Sequence, residues 1–260
     1  MDPHQRVFDS QVGSYERLGL ELQRPETLLL REFRERDRVR MLDVGIGSGR
    51  TSYTFAPLAD RYVGVDYVPQ MVEAARNVVE EGETVQLRVA DARGLSGEVE
   101  GPFDLILFSF NGLDAMSFEE RFAVLGEIRG VIAEGGQFAF SSHSLNALPL
   151  TPPAFAPKAR RPLRSAYAAT RIALQRRKVA RVNAELDLAA AREAGWAVVP
   201  DAGHDHRLHL VYVTPEFQLR QLEEAGFGEI EVYDRMARRV DPADAGADPW
   251  LHYFCRPAAG

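Results

Sequence analysis

The chain contains a single cysteine, Cys255. A lone thiol excludes an internal disulfide framework and a zinc site built on several thiolates, and it fits a reducing compartment. No apolar run approaches the roughly 20 residues that a bilayer core demands. The N-terminal stretch MDPHQRVFDSQVGSYERLG also lacks the basic-then-apolar order of a secretory leader. The expectation is a cytoplasmic protein without a membrane partner. Positive charge is in deficit as well, 31 Lys and Arg against 38 Asp and Glu, for a net charge of -7. That balance argues against a wholly electrostatic grip on nucleic acid. Apolar residues are plentiful: 45% hydrophobic residues over 260 positions suffice for one domain with a full core.

Apolar runs alternate with amphipathic ones. Residues 39–45, 61–66, 84–91, 103–110 and 137–144 read as strands, and 48–61, 68–82 and 117–133 as the helices between them. Pro69 suits an early helical position, and Gly82 is the expected stop of its helix. Ser117 and Glu120 have the spacing of a capping box. Strict alternation of this kind specifies parallel strands joined by right-handed crossovers, hence an open α/β sheet whose ligands sit beyond the carboxyl ends of its strands. The alternation breaks over 145–203, where a proline-rich and then basic stretch reads as a helical insertion. A strand at 207–214 follows, then a helix from Thr214-Pro215 to Gly226, and strands at 229–234 and 250–257.

The stretch 41-MLDVGIGSGR-50 is a strand running into a glycine turn. A dinucleotide fingerprint would place Gly or Ala where Arg50 stands, and a P-loop would need Gly-Lys-Ser/Thr. The D-x-G-x-G-x-G pattern instead resembles the first motif of the class I S-adenosylmethionine-dependent methyltransferases. Four further segments resemble that family in the right order: 63-VGVDYVPQMVEAAR-76, 89-VADAR-93, 103-FDLILFSFNGLD-114 and 131-VIAEGGQFAFSSHS-144. The terminal 215–232 and 250–257 are similar to its last helix and last two strands.

The resemblance implies a doubly wound, seven-stranded, mostly parallel sheet in one domain over 1–260, with an N-terminal arm over 1–37 and the insertion at 145–203 acting as an acceptor lid between strands five and six. It implies S-adenosylmethionine as cofactor, and no metal. It places the cofactor against Tyr15 of the arm, Asp43, Gly45, Ile46, Gly47 and Gly49, then Asp66, Tyr67 and Met71, then Asp91 and Ala92, and finally Phe108 and Ser109. Asp66 resembles the family's ribose-binding acid and Asp91 its adenine-reading acid. Each acid also has a plainer use as a turn or helix cap.

A methyl on sulfonium is already electrophilic, so placement and desolvation supply much of the rate, with a base added when the acceptor is a hydroxyl. His143 and His206 are the candidate bases, with His204 and Asp205 nearby; Asn111 and Asp114 are candidates to position the acceptor. Arg176 and Arg177 stand for the basic run 158–181, read as a grip on an anionic acceptor or as a solvated helix face. The expected reaction is O-methylation of a sugar or natural-product hydroxyl. The alternatives are C- or N-methylation of a small, phosphorylated or diphosphate-bearing metabolite, and RNA methylation through the basic insertion. RNA is disfavoured by the scarcity of aromatics in that run. A homodimer is compatible with the sequence. Two other classes stay open on the residues alone: a nicotinamide oxidoreductase, and a non-catalytic binding protein.

Overall fold

In the computed structural model, which describes residues 3–150, 162–200 and 208–259, the glycine turn lies near the centre of a seven-stranded sheet. Three short helices come first, α1 (Pro3–Asp9), α2 (Val12–Glu16) and α3 (Arg24–Arg34). The regular alternation follows: β1 (Arg40–Val44), α4 (Arg50–Phe55), β2 (Arg61–Asp66), α5 (Pro69–Arg76), β3 (Val85–Val89), α6 (Leu95–Glu98), β4 (Phe103–Phe108), α7 (Phe118–Val131) and β5 (Ile132–His143). After the insertion, which carries α8 (Pro162–Glu185), α9 (Leu188–Ala194) and β6 (Trp196–Pro200), come β7 (His209–Val213), α10 (Pro215–Glu224), β8 (Phe227–Tyr233) and β9 (Trp250–Pro257). The main sheet has the order β3-β2-β1-β4-β5-β9-β8. Its first five strands are parallel, and β9 enters antiparallel between β5 and β8. Among the described residues no helix is long and apolar enough to cross a membrane.

Strand periodicity divides the core in two. On β1, Leu42 and Val44 face the layer that α7 and α10 cover, with Ile128 and Leu222. Met41 faces the other layer, with Leu29, Phe33, Phe55 and Val72 from α3, α4 and α5. Asp43 shares the parity of Met41, so its carboxylate is buried beneath α4. A third apolar cluster belongs to the insertion and β7: Val182, Ala191, Val199, Leu210 and Tyr212 pack together and touch Val7 and Phe8 of α1. The arm and the insertion thus meet over the carboxyl ends of the strands. His4 Nδ1 lies 2.8 Å from the Ala115 carbonyl, and Gln5 donates to the Tyr67 carbonyl at 2.8 Å, which ties the arm to both rims.

Three sequence expectations change. The helix expected to stop at Gly82 ends at Arg76, and the Gly82 amide instead donates to Val85 to start β3. The strand expected at 207–214 lies outside the main sheet and pairs antiparallel with Trp196–Pro200. The insertion expected to be helical therefore carries two helices and one arm of a hairpin, and a single parallel bridge, Ser144 to Val213, joins that hairpin to the end of β5. His204, Asp205, His206, Lys158, Arg160 and Arg161 lie outside the described residues.

Gly49, expected at the cofactor, is a packing residue. Its φ is +90°, and a Cβ there would stand 2.7 Å from Val78 and 3.1 Å from the Ala75 backbone. Its bareness lets α4 start hard against α5. Gly49→Ala is expected to cost at least about 2 kcal/mol, from a left-handed backbone plus overpacking. A urea titration would read this, and unchanged stability would remove the packing role.

Candidate functional site

Beyond the carboxyl ends of β1, β2, β4 and β5 lies one large cavity of about 750 Å³, within the roughly 300–1,000 Å³ of small-molecule sites. Its floor is the glycine turn. Gly45 and Gly47 have φ of +66° and +53°, a conformation glycine adopts without steric cost. A Cβ on Gly45 would meet the Phe108 ring at 3.0 Å, and one on Gly112 would meet the same ring at 2.2 Å. Phe108 is therefore wedged between two bare backbone segments, both of which border the cavity.

Asp66 closes this end. One carboxylate oxygen accepts the Gly47 amide and the other the Val68 amide, each at 2.9 Å. Burial pushes its pKa up to about 6 despite those amides. Tyr67 and Met71 stand beside it in the wall. Farther along, Asp91 and Ala92 also line the cavity, but the Asp91 carboxylate is gripped by Arg93, which reaches Glu120 at 2.6 Å. That grip holds the Asp91 carboxyl below its usual range.

Tyr15, Phe108 and Ser109, expected to meet the cofactor, line the cavity. Asp43 and Gly49 are not in the large cavity's described wall, and Ile46 borders only a small neighbouring void. The Asp43 side chain is fully buried and accepts from the Thr51 hydroxyl at 2.6 Å and the Tyr62 hydroxyl at 2.7 Å, both on the same oxygen. Its other oxygen has no partner. Burial lifts its pKa from 3.8 to about 7. Asp43 acts on the turn from below, by fixing the first turn of α4.

The acceptor side is organised by Asp114, which the sequence expectation placed against the acceptor. Its side chain is fully buried and touches no ligand space. Instead it accepts from Arg121 at 2.5 Å, from the Ser142 hydroxyl at 2.6 Å and from the His143 amide at 2.6 Å. The His143 ring Nδ1 lies 2.8 Å from the same carboxylate. Burial alone would raise this carboxyl, but the Arg121 charge and the His143 hydrogen bond more than offset it and leave it below the ordinary range. A charged Asp114 fixes the proton of His143 on Nδ1, so Nε2 is the basic nitrogen. His143 lines the cavity, and its Nε2 is 3.4 Å from the Asn111 amide nitrogen.

Arg176 and Arg177, expected to meet the acceptor, are exposed on α8 and are not among the described residues of the cavity wall. Sequence reasoning missed Glu26 and Arg121. Glu26 is 2% exposed and makes a two-pronged ion pair with Arg50 at 2.6 and 2.7 Å. Ser109 donates to Glu26 and accepts from Arg50 at 2.8 Å. Arg50, which excluded a dinucleotide, is therefore the clamp between α3 and the turn after β4. The Gln23-to-Glu26 spacing signals a helix start, and the Gln23 amide does donate to Glu26 at 2.7 Å, yet nothing local names Arg50 as partner.

A family model described as a methyltransferase domain matches residues 41–136. An uncharacterized methyltransferase, YcgJ of Bacillus subtilis, is 29% identical over 106 residues, 40% of either chain. A ubiquinone biosynthesis O-methyltransferase of Xanthomonas euvesicatoria is 37% identical over 68 residues, 26% of this chain and 28% of that one. The matched segments thus span less than half of these relatives. Among solved structures, an S-adenosylmethionine-dependent methyltransferase from Clostridium acetobutylicum has a TM-score of 0.60 at 12% identity, over 91% of each chain. The N-methyltransferase NodS of Bradyrhizobium japonicum, in complex with S-adenosyl-L-homocysteine, has a TM-score of 0.59 at 15% identity, over 99% of this chain and 100% of that one.

The raised Asp43 value fixes a sign. A carboxyl that holds its proton more tightly folded than unfolded contributes stability below pH 3.8, and that contribution is lost as pH rises through about 7. Between pH 4 and 8 the stability of Asp43→Asn should therefore rise relative to the parent chain, by up to about 4 kcal/mol. Urea titrations at four pH values would read this, and a constant difference would count against it.

Proposed function

We propose that this chain, whose residues 41–136 match a methyltransferase domain and whose fold is that of S-adenosylmethionine-dependent methyltransferases, is a class I enzyme of that kind that methylates a hydroxyl of a small molecule, of the sugar or natural-product kind, with His143 as base. The observation carrying the proposal is the Asp114–His143 pair, with Nδ1 held 2.8 Å from a buried carboxylate while the ring lines the cavity. A neutral hydroxyl is a poor nucleophile until its proton leaves, whereas a neutral amine already offers a lone pair. A preset base therefore favours oxygen.

The residues present suit S-adenosylmethionine. Gly45 and Gly47 give bare backbone to a ligand that carries no phosphate, and Asp66 can accept from ribose hydroxyls on lone pairs the two amides leave open. Tyr15, Tyr67, Met71, Asp91, Ala92, Phe108 and Ser109 would complete the cofactor wall. When bound, the cofactor supplies a methyl on positively charged sulfur, and the carbon–sulfur bond breaks with its electron pair remaining on sulfur. The chain's own part is to receive the hydroxyl proton at His143 Nε2, to stabilise the resulting imidazolium through Asp114, and to keep water out with the arm and the hairpin. Arg121, within the same buried group, keeps Asp114 ionised through that change.

His143→Gln is expected to lower kcat by about 10² to 10⁴ while S-adenosylhomocysteine affinity in calorimetry stays within twofold. Methyl transfer from labelled cofactor to a panel of hydroxyl acceptors would read the rate, and an unchanged kcat would end the base assignment. Asp66→Asn is expected to do the reverse: its loss of a charged acceptor should weaken S-adenosylhomocysteine by about 10- to 100-fold. Parental affinity in that variant would move the ribose elsewhere.

A further inference from the structure

The acceptor end of the cavity has a chemistry of its own. Of the polar side chains in the described wall, Asp66 and Ser109 are buried towards the glycine turn and Asn111 and His143 at this end, while His4, Ser117 and His209 are more open. The rest of the inner wall is largely ring and thioether: Phe8, Tyr15, Phe110, Met116, Phe118 and Trp250. Phe110 and Trp250 meet edge to face, 5.4 Å between centroids, and Trp250 stands 6.0 Å from the His143 ring in the same manner. Tyr15 of the arm approaches Phe110 from the other side at 6.5 Å. The turn that presents Phe110 is strained, because Phe110 and Asn111 both have left-handed backbones, φ +57° and +60°. Two consecutive non-glycine residues in that region are held by their surroundings, at a cost of order 1–3 kcal/mol each, and such strain gathers at ligand clamps. The described wall carries one arginine, Arg93, which is paired with Asp91 and Glu120 at the far end.

The geometry points to a planar, uncharged aromatic acceptor whose phenolic hydroxyl meets His143 Nε2 while its ring lies among Phe110, Trp250 and Tyr15. The inference rests on the methyl-transfer reading above and narrows it. A sugar would bring several hydroxyls into a wall with two buried polar side chains, and each one left unpaired is costly. A phosphorylated acceptor would need cations that this end does not present among its described residues. Acidity decides in the same direction. A phenol has a pKa of about 10, against roughly 16 for a water-like hydroxyl. The deprotonation equilibrium that the base must pull thus differs by about 10⁶. Asn111 Nδ2, 3.4 Å from Nε2, is placed to donate to the oxygen as charge develops on it.

The test is binding without turnover. Both tryptophans of the chain, Trp196 and Trp250, line the cavity, so their fluorescence reports its occupancy. The probes are 1-naphthol, its saturated counterpart decahydro-1-naphthol, 1-naphthyl phosphate and methyl glucoside, each titrated with and without S-adenosylhomocysteine. The expected result is 1-naphthol tighter than each of the others by about tenfold or more, since aromatic contacts add to what area burial provides. Phe110→Leu and Trp250→Leu, which keep apolar volume, should each shrink the preference over the saturated probe severalfold. Equal binding of the aromatic and saturated probes, or tighter binding of the phosphate or the glucoside, overturns the inference. Labelled-methyl assays with the same probes separate the two readings. Preferential naphthol binding without transfer leaves the aromatic site standing and sinks methylation. Transfer to the glucoside with no aromatic preference does the opposite.

Discussion

The acceptor side depends on one buried negative charge. Asp114 has no solvent, and three residues from two chain segments supply its hydrogen bonds: Arg121 from α7, Ser142 and His143 from the end of β5. Arg121 is itself fully buried and reaches on to Gln218 of α10 at 2.6 Å. Removing either partner of such a pair strands a charge in the interior, at about 3–5 kcal/mol. Register therefore follows from electrostatics: the helix, the strand end and α10 must sit where these bonds close. The orientation of the His143 ring is a by-product of that requirement. It is also held by stacking on Tyr212 at 4.6 Å, which links the His143 ring to the β6–β7 hairpin.

A second charged group does the matching work on the cofactor side. Arg50 begins α4, and its guanidinium holds Glu26 of α3 and Ser109 after β4, with the Phe110 ring 5.5 Å away. The helix that leads from the arm is thereby pinned to the turn that presents Phe110 and Asn111. The two networks lie on either side of that one strained turn. Its backbone is left-handed twice in succession, and Gly112 next to it has no room for a Cβ. A shift of the arm would be felt at Phe110 through Tyr15 and through Arg50 together. The position of the arm and the shape of the turn at Phe110 are thus mechanically linked.

Much of the fold was legible because its signals are local. The Ser117 and Glu120 capping box is present, with the Ser117 amide donating to Glu120 at 2.8 Å, and Thr214 caps α10 as its place before Pro215 suggests. Continuous apolar runs gave the central strands, and the order of motifs gave the topology, including the antiparallel last strand. The hairpin was not legible in the same way. Trp196–Pro200 is a short run after an alanine-rich helix, and its meaning lies in a partner strand beyond it, Trp196 pairing with Val213 at one end and Pro200 with His209 at the other. The site divides along the same line. Glycines that a turn requires announce themselves by spacing. Glu26 pairs with Arg50, 24 residues away, and Arg121, besides Asp114 seven residues before it, bonds Gln218 97 residues on. No pattern on either segment points across that gap.

Four aspartates at the ends of these strands show how far environment outruns identity. Asp43, Asp66, Asp91 and Asp114 look alike in sequence, each after an apolar run or on a turn. Asp43 has two hydroxyl donors and a deep burial, and is driven up to about 7. Asp66 has backbone amides on both oxygens and is driven less far, to about 6. Asp91 is half open to water beside Arg93 and is lowered. Asp114 is as buried as Asp43, yet Arg121 and His143 reverse the outcome. Burial costs the two deepest acids alike, so the deciding quantity is the cation: Asp114 has one in contact, while Asp43 feels Arg50 only through space. A carboxylate that must orient an imidazole has to stay charged while that imidazole takes up a proton. Of the four, only Asp114 is both shielded from water and held ionised, and it is the one beneath the histidine.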